Sequence, residues 1–365
     1  MLRVIDYKMH QSVNFHNSIE VGAFFLILRK LVIEAQSNQQ LRHYDINLAQ
    51  ISVRLSFFGN KLSDILLPAL SHITHSFATS QKPEYQIYVL DATAISSPFP
   101  AIEGIADKYI FRGDIEDFSS PQYQIAYLIH PKIICAIDHF NKIGIVIAQD
   151  AKRIPVFTTA SPFKEIFNWI MLKNQCSLIH AAAVGNEDGA VLLTGKSGAG
   201  KSMAAVRCLF HGFDFYGDDI IGVANKNKPT VHAIFASAKI FQKDIADITG
   251  LEKYSKWSNL KSKDKEVFFL SEDFKEQLPL QAPIKAILHL VQSDGKAAIS
   301  PASIANVLNV VGSTSCAIFP YSHQSHTIQL ISLFKNVACF NFELGNQVDD
   351  IAPLLEHFLT SMAHN

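Results

Sequence analysis

The stretch Gly195-Lys196-Ser197-Gly198-Ala199-Gly200-Lys201-Ser202 constrains this chain more than any other. The pattern GxxxxGK[ST] fixes four positions. At average glycine usage of about 7%, a chance match in a chain this long arises roughly once in a hundred sequences. The surroundings sharpen it. Gly189 to Thr194 is an apolar run of strand length, the loop follows at once, and Lys201 to His211 has helical spacing. That helix is expected to bury Met203, Val206, Leu209 and Phe210, with Gly212 as its C-terminal cap. Gly195, Gly198 and Gly200 let successive backbone N–H groups turn toward phosphate oxygens, and the helix N-terminus adds partial positive charge. Lys201 is placed to reach the β/γ-phosphates and Ser202 to ligate Mg²⁺. A nucleoside triphosphate is therefore expected, with ATP and Mg²⁺ as cofactors. The bland alternative is a glycine-rich turn beside a surface lysine.

Composition excludes several classes. Hydrophobic residues make up 48% of the 365 residues and charged residues 18%, enough to build a core and too apolar for disorder. A formal net charge of -1 provides no overall field for nucleic acid or an anionic membrane, so neither is an expected partner. The five cysteines are far apart and form no CxxC, which fits a reducing cytoplasm better than a disulfide framework. The histidines form no HExxH and no tight cluster with cysteine. Met1 to Gln11 lacks an apolar secretory core, and Val21 to Ile33, interrupted by Arg29 and Lys30, reads as a buried helix.

Two regions are expected. Residues 1–160 mix strands with helices and form an α+β region for substrate recognition or regulation. Ile51 to Phe57 alternates as a half-buried strand, Ser63 is placed to cap a helix through Ile73, and Gln86 to Leu90 and Ile143 to Ala148 are further strands. Residues 161–365 form the nucleotide-binding catalytic domain. Ser161-Pro162 reads as its first helix start. Leu178 to Val184, Ala190 to Thr194, Ile284 to Val291 and Val337 to Leu344 are continuous apolar strands. Helices fall at Lys201 to His211, Ala302 to Val311 and Asp349 to Met362. Such strands suggest a sheet buried on both faces, as in α/β folds. Glu252 to Asp264 reads as a polar surface loop.

Phe213 to Tyr216 is a short strand ending in Gly217-Asp218-Asp219. A βαβ reading makes it parallel and close to Ala190–Thr194, which sets Asp218 and Asp219 at the carboxyl edge of the sheet beside the loop. One carboxylate can hold Mg²⁺, directly or through water, and the other can take a proton from an attacking hydroxyl. A turn with capping aspartates is the plainer reading. If Val184 opposes Ala190 in a hairpin, His180 opposes Thr194 at the mouth of the phosphate site. A core histidine is the alternative there.

Leu178-Ile179-His180-Ala181-Ala182, then GAVLLTGKSGAGKS, then HGFDFYGDD, resembles the catalytic domain of HPr kinase/phosphorylase and the related serine kinases. The separations of 21 residues from His180 to Lys201 and 17 from Lys201 to Asp218 agree with that family's pattern. Ala338 to Met362 and Ala160 to Trp169 also look like it. The resemblance implies a phosphoenolpyruvate-carboxykinase-like phosphate-loop fold and an ATP-dependent kinase acting on a hydroxyl. By motif match, His180, Lys201, Asp218 and Asp219 become the catalytic residues, with Asp218 as base and Ser202 and Asp219 serving the metal. The implied acceptor is a peptide, a carrier protein or a small hydroxylated molecule, and self-association into a homo-oligomer stays open. A nucleotide-dependent binding protein without kinase activity is the second reading. One departure stands out. The family's downstream Glu-x-Arg-Gly-x-Gly has no counterpart, and Ala236-Ser237-Ala238-Lys239 occupies that region. Lys239 or Lys265 could supply positive charge to the transition state, but neither carries a motif, and the plainer reading of both is an ordinary surface lysine.

Overall fold

A computed structural model describes residues 18–75, 82–100, 111–248, 250–251, 264–316, 318–321, 323–345 and 348–363. The expected loop at 252–264 lies almost wholly outside the described residues.

The chain opens with helix α1 (Ser18–Asn38), which buries Val21, Phe24, Phe25, Leu28, Val32 and Ala35 at helical spacing. The first sheet comprises β1 (Leu41–Leu48), β2 (Ile51–Phe58), β3 (Thr74–His75), β4 (Tyr85–Asp91), β5 (Tyr123–Leu128), β6 (Ile133–Asp138) and β7 (Ile143–Ala148). Its order is β3-β1-β2-β4-β7-β6-β5. One face packs on α1. The other faces α2 (Lys61–Leu66), a 3₁₀ turn over Pro68–Ile73, and the segment after β7. Ile51, Val53, Leu55 and Phe57 of β2 share that second core as expected, but Ser56 on the opposite face is buried too, because β2 is an interior strand. Ser63 does not cap a helix. It lies inside α2, whose N-cap is Asn60.

After β7 come α3 (Val156–Ala160) and α4 (Lys164–Lys173). Ser161 closes α3 instead of opening α4, whose N-cap is Phe163 in the left-handed region at φ 60°. The local preference of Ser-Pro is overridden because Phe163 is buried, ring to ring with Phe57 and Phe167. α4 is buried on all sides from Glu165 to Met171. It lies between the first sheet and the second, and one apolar core runs from β2 through Phe167, Trp169 and Ile170 to Leu178, Ile234 and Phe235.

The second sheet contains β8 (Cys176–Ile179), β9 (Ala182–Asn186), β10 (Gly189–Thr194), β11 (Asp214–Gly217), β12 (Ile221–Ala224), β13 (Thr230–His232) and β16 (Gln281–Val291), in the order β11-β9-β10-β16-β13-β12-β8. β17 (Ala298–Pro301) and β18 (Ala338–Glu343) join beside β16, and β14 (Ser237–Phe241) with β15 (Lys265–Phe269) makes a separate ribbon. Helices α5 (Lys201–Phe210), α6 (Ile304–Cys316), α7 (His323–Phe334) and α8 (Ile351–Ala363) complete the described residues. The sheets are mixed: β10–β16 and β16–β18 are parallel, whereas β9–β10 and β9–β11 are antiparallel. The fold class is α/β.

Leu178 to Val184 is not one strand. It divides into β8 and β9, which stand five strands apart in the sheet order yet are joined by His180 and Ala181 alone. Five strand spacings span about 24 Å in a flat sheet, whereas so short a link reaches about 10 Å. The sheet must therefore curl until its two ends meet. β11 and β12 repeat the crossing through residues 218–220. His180 and the Asp218-Asp219 pair thus lie on the two links that cross one seam.

Three histidines give the fold a pH dependence. Burial lowers His72, His139 and His232 to about 4, helped by Lys173 near His139 and Lys226 near His232, and opposed at His72 by the Ala233 backbone. The unfolded chain takes up these protons near 6.5 and the folded chain does not, so their contribution is complete above 6.5 and is lost as pH falls toward 4. Urea midpoints should fall across that window. A flat profile there would contradict neutral burial of these rings.

Candidate phosphate-loop site

Strand β10, the loop and α5 follow one another as the motif requires. Gly195, Gly198 and Gly200 all have positive φ, at 150°, 81° and 95°. Gly200 is the α5 N-cap, and a Cβ there would meet Leu344 Cδ1 at 2.7 Å. Gly200→Ala is expected to strain the loop by about 1–3 kcal/mol and weaken ATP binding accordingly, as titration calorimetry would read. Unchanged affinity would mean that the loop's conformation does not govern binding. At the other end of α5, the Phe213 amide donates to Cys208 O at 3.0 Å, and Gly212 takes the left-handed φ expected of its cap.

Lys201 is buried and folded over the loop, its Nζ donating to Gly195 O at 2.8 Å and Lys196 O at 3.1 Å. Burial lowers its pKa, against the pull of Asp218 and Asp219. Ser197 and Ser202 line the same cleft of about 800 Å³, as do His180, Lys239 and Lys265.

β11 runs in the same direction as β10 but does not pair with it. β9 lies between them, antiparallel to both. The hairpin register also differs by one residue from expectation: Val184 opposes Val191 and Gly185 opposes Ala190. His180 is therefore not on β9. It reaches the cleft from the β8–β9 link, where its backbone N–H donates to Ser315 Oγ at 3.0 Å. Its Nδ1 is 2.9 Å from Asp219 O and 3.3 Å from Asp219 Oδ1. Both partners are acceptors, which places the proton on Nδ1 and leaves Nε2 as an acceptor. Burial lowers the His180 pKa, so the ring is neutral near pH 7 despite Asp219.

The paired aspartates have opposite environments. Asp218 is buried, its Oδ2 accepts the Lys239 backbone N–H at 3.0 Å, and its Oδ1 has no hydrogen-bond partner. Burial and then Asp219 raise its pKa, against the Lys239 amide and the nearby Ser202 hydroxyl. Burial also pushes Asp219 upward, but Lys239, then His180, outweigh it and hold Asp219 well below the ordinary carboxylate range. Lys239 Nζ meets Asp219 Oδ2 at 2.6 Å. Asp219 itself has φ 69°, a conformation Asp tolerates.

No protein-family model matches the sequence, and no curated protein matches it. Among solved structures, the Hpr(Ser) kinase/phosphatase from Coxiella burnetii is similar at 14% identity and TM-score 0.30. The match covers 51% of this chain and 98% of that one.

Mg²⁺ takes oxygen ligands, usually one or two from protein with substrate phosphates and water completing the set. The residues fit that demand. Ser202 offers a hydroxyl close to the Asp218 carboxyl. Among the described residues no group of three or more His, Cys, Asp or Glu could hold a metal without help. Asp219, expected at the cation, has one oxygen on Lys239 and the other near His180.

The lysines correct the sequence reading. Lys239 is only 14% exposed at its side chain and holds Asp219. Lys265 lies 4.4 Å from the Phe241 ring centroid and acts electrostatically on Asp219 and Lys201. Neither is an ordinary surface lysine. The available signal was the strand alternation of Ser237–Phe241, which puts Lys239 on the face opposite buried Ala238 and Ile240. No helix among the described residues is long and apolar enough to cross a membrane.

Proposed function

We propose that this chain is an ATP-dependent kinase that transfers the γ-phosphoryl group to a hydroxyl. The observation that carries the reading is the divergence of two adjacent carboxylates beside a phosphate loop. Asp218 is pushed toward proton uptake with one oxygen unpartnered, while Asp219 is held as an anion. Pairs whose environments drive them apart divide base from electrostatic partner.

The loop amides and Lys201 hold the β- and γ-phosphates and offset charge that develops on transfer. Lys201 leaves its loop carbonyls to do so. Asp218 takes the proton of the acceptor hydroxyl as that oxygen attacks phosphorus, and ADP departs. Asp219 keeps Lys239 and His180 in place and serves the cation through water. Ser202 would offer Mg²⁺ a hydroxyl oxygen, and the cation, when bound, would offset the negative charge of the β- and γ-phosphates. Residues 1–160 contribute acceptor recognition or regulation to the catalytic region 161–365, in the cytoplasm. The acceptor class is a serine-containing peptide, a carrier protein or a small hydroxylated molecule.

The test is incubation of the full chain with MgATP labelled at the γ-position and a panel of serine peptides, carrier proteins and small polyols. Label should move to one class of acceptor. Label found only as inorganic phosphate would identify a hydrolase. Nucleotide binding with neither product would identify a nucleotide-responsive binding protein.

A further inference from the structure

Lys239 makes two contacts of different kind with the paired aspartates. Its backbone N–H donates to Asp218 Oδ2 at 3.0 Å, and its ammonium donates to Asp219 Oδ2 at 2.6 Å. We propose that Lys239 is the positioning residue of the transfer site, fixing the two carboxylates relative to each other from a single point on β14. The proposal rests on the kinase reading and extends it.

Three observations support it. First, the ion pair is largely out of solvent, with 14% of the Lys239 side chain and 27% of the Asp219 side chain exposed. Long exposed side chains seldom hold one geometry, whereas an enclosed pair does. Second, β14 is itself fixed from outside the curled sheet. The Ala236 N–H donates to Ala69 O at 2.8 Å, and Ser237 Oγ donates to Ala160 O at 2.5 Å. Lys239 is opposite Val267 on β15, and Ala238 and Ile240 anchor the ribbon in the core below α5. Third, Asp219 has a left-handed backbone and sits on a three-residue crossing. A carboxylate on so short a link needs an external hold, and Lys239 supplies one while His180 supplies the other.

The ionisable groups around the pair come from different elements. Lys201 begins α5, His180 lies on the first crossing, Lys265 begins β15, and Lys239 is on β14. Lys239 hydrogen-bonds to the side chains of both aspartates. The Lys239 ammonium is paired with Asp219 at 2.6 Å, and on this proposal Lys239 acts through that partner.

The test compares wild type, Lys239→Met, Lys239→Arg, Asp219→Asn and the Lys239→Met/Asp219→Asn double variant in the label-transfer assay, with MgATP affinity measured in parallel. Lys239→Met should lower kcat by about 100-fold, the scale of an ångström-level misplacement, with MgATP affinity within about threefold. Lys239→Arg, which can still pair with Asp219, should recover at least about a tenth of wild-type kcat. The double variant should be no slower than Asp219→Asn alone, because residues acting as a unit are non-additive. Multiplying losses, or a kcat within about threefold of wild type for Lys239→Met, would overturn the proposal and leave the kinase reading standing. Should Lys239→Met fail to fold, Lys239→Arg and Asp219→Asn carry the same comparison. A wild-type chain that transfers no label overturns the kinase reading, and this proposal with it.

Discussion

Asp218→Asn should abolish phosphoryl transfer while leaving MgATP bound. Asparagine keeps the shape of the side chain and can still accept the Lys239 amide through its carbonyl oxygen, so the backbone around the crossing is held as before. What is lost is the capacity to take a proton. General-base assistance contributes typically 10²–10⁴-fold, so kcat should fall by about that range. Nucleotide affinity should change little, because the loop amides and Lys201 are untouched and the substitution removes one negative charge near the phosphates. A kcat within about tenfold of wild type would remove Asp218 from the role of base. Loss of MgATP affinity in step with kcat would instead mark Asp218 as mainly a cation ligand. The opposed environments of Asp218 and Asp219 also predict an asymmetry. Asp219→Asn should disturb Lys239 and His180 together, since both bind it.

Trp169→Ala should cost about 3–5 kcal/mol of stability, the usual range for removing a buried large aromatic. Trp169 is 1% exposed on the helix between the two sheets, and its indole N–H donates to Pro320 O at 2.8 Å. Its ring also lies 6.2 Å from that of Tyr321, whose hydroxyl bonds the backbone of Ile125 on β5 and of Ile115 between β4 and β5. The residue therefore joins the C-terminal part of the chain to both halves of the core. Urea unfolding should show a lower midpoint with an unchanged slope, because the surface exposed on unfolding is nearly the same. A loss below about 1 kcal/mol would mean that the cavity refills and that α4 is not the packing centre described above.

The phosphate loop was legible because its information is local: glycine spacing, an apolar strand before it and a helical face after it. Strand β10 was legible for the same reason, since it is buried at every position and leaves no alternation to misread, and β16 and β18 were legible as apolar runs although part of each alternates. The helix starts at Ser63 and Ser161 were misplaced where tertiary packing outweighed capping preference. At Phe163, burying the ring fixes a left-handed turn that no capping rule anticipates. Hairpin counting and the resemblance both set His180 near the loop, but its contact with Asp219 comes from closure of a sheet whose ends are five strands apart, which no window of sequence contains. No motif singled out Lys239 over other lysines, because its place follows from where β14 is held, by Ala69 and Ala160, far away in the chain.

The seam has a mechanical consequence. Two covalent crossings, one carrying His180 and the other Asp218 and Asp219, tie the ends of the sheet together like a pair of stitches. Any change in the curl of that sheet is delivered to the stitches as a change of spacing between them. The contact from His180 Nδ1 to Asp219 O, at 2.9 Å, spans the gap between them. A ligand that altered the curl of the sheet would therefore move His180 relative to Asp219.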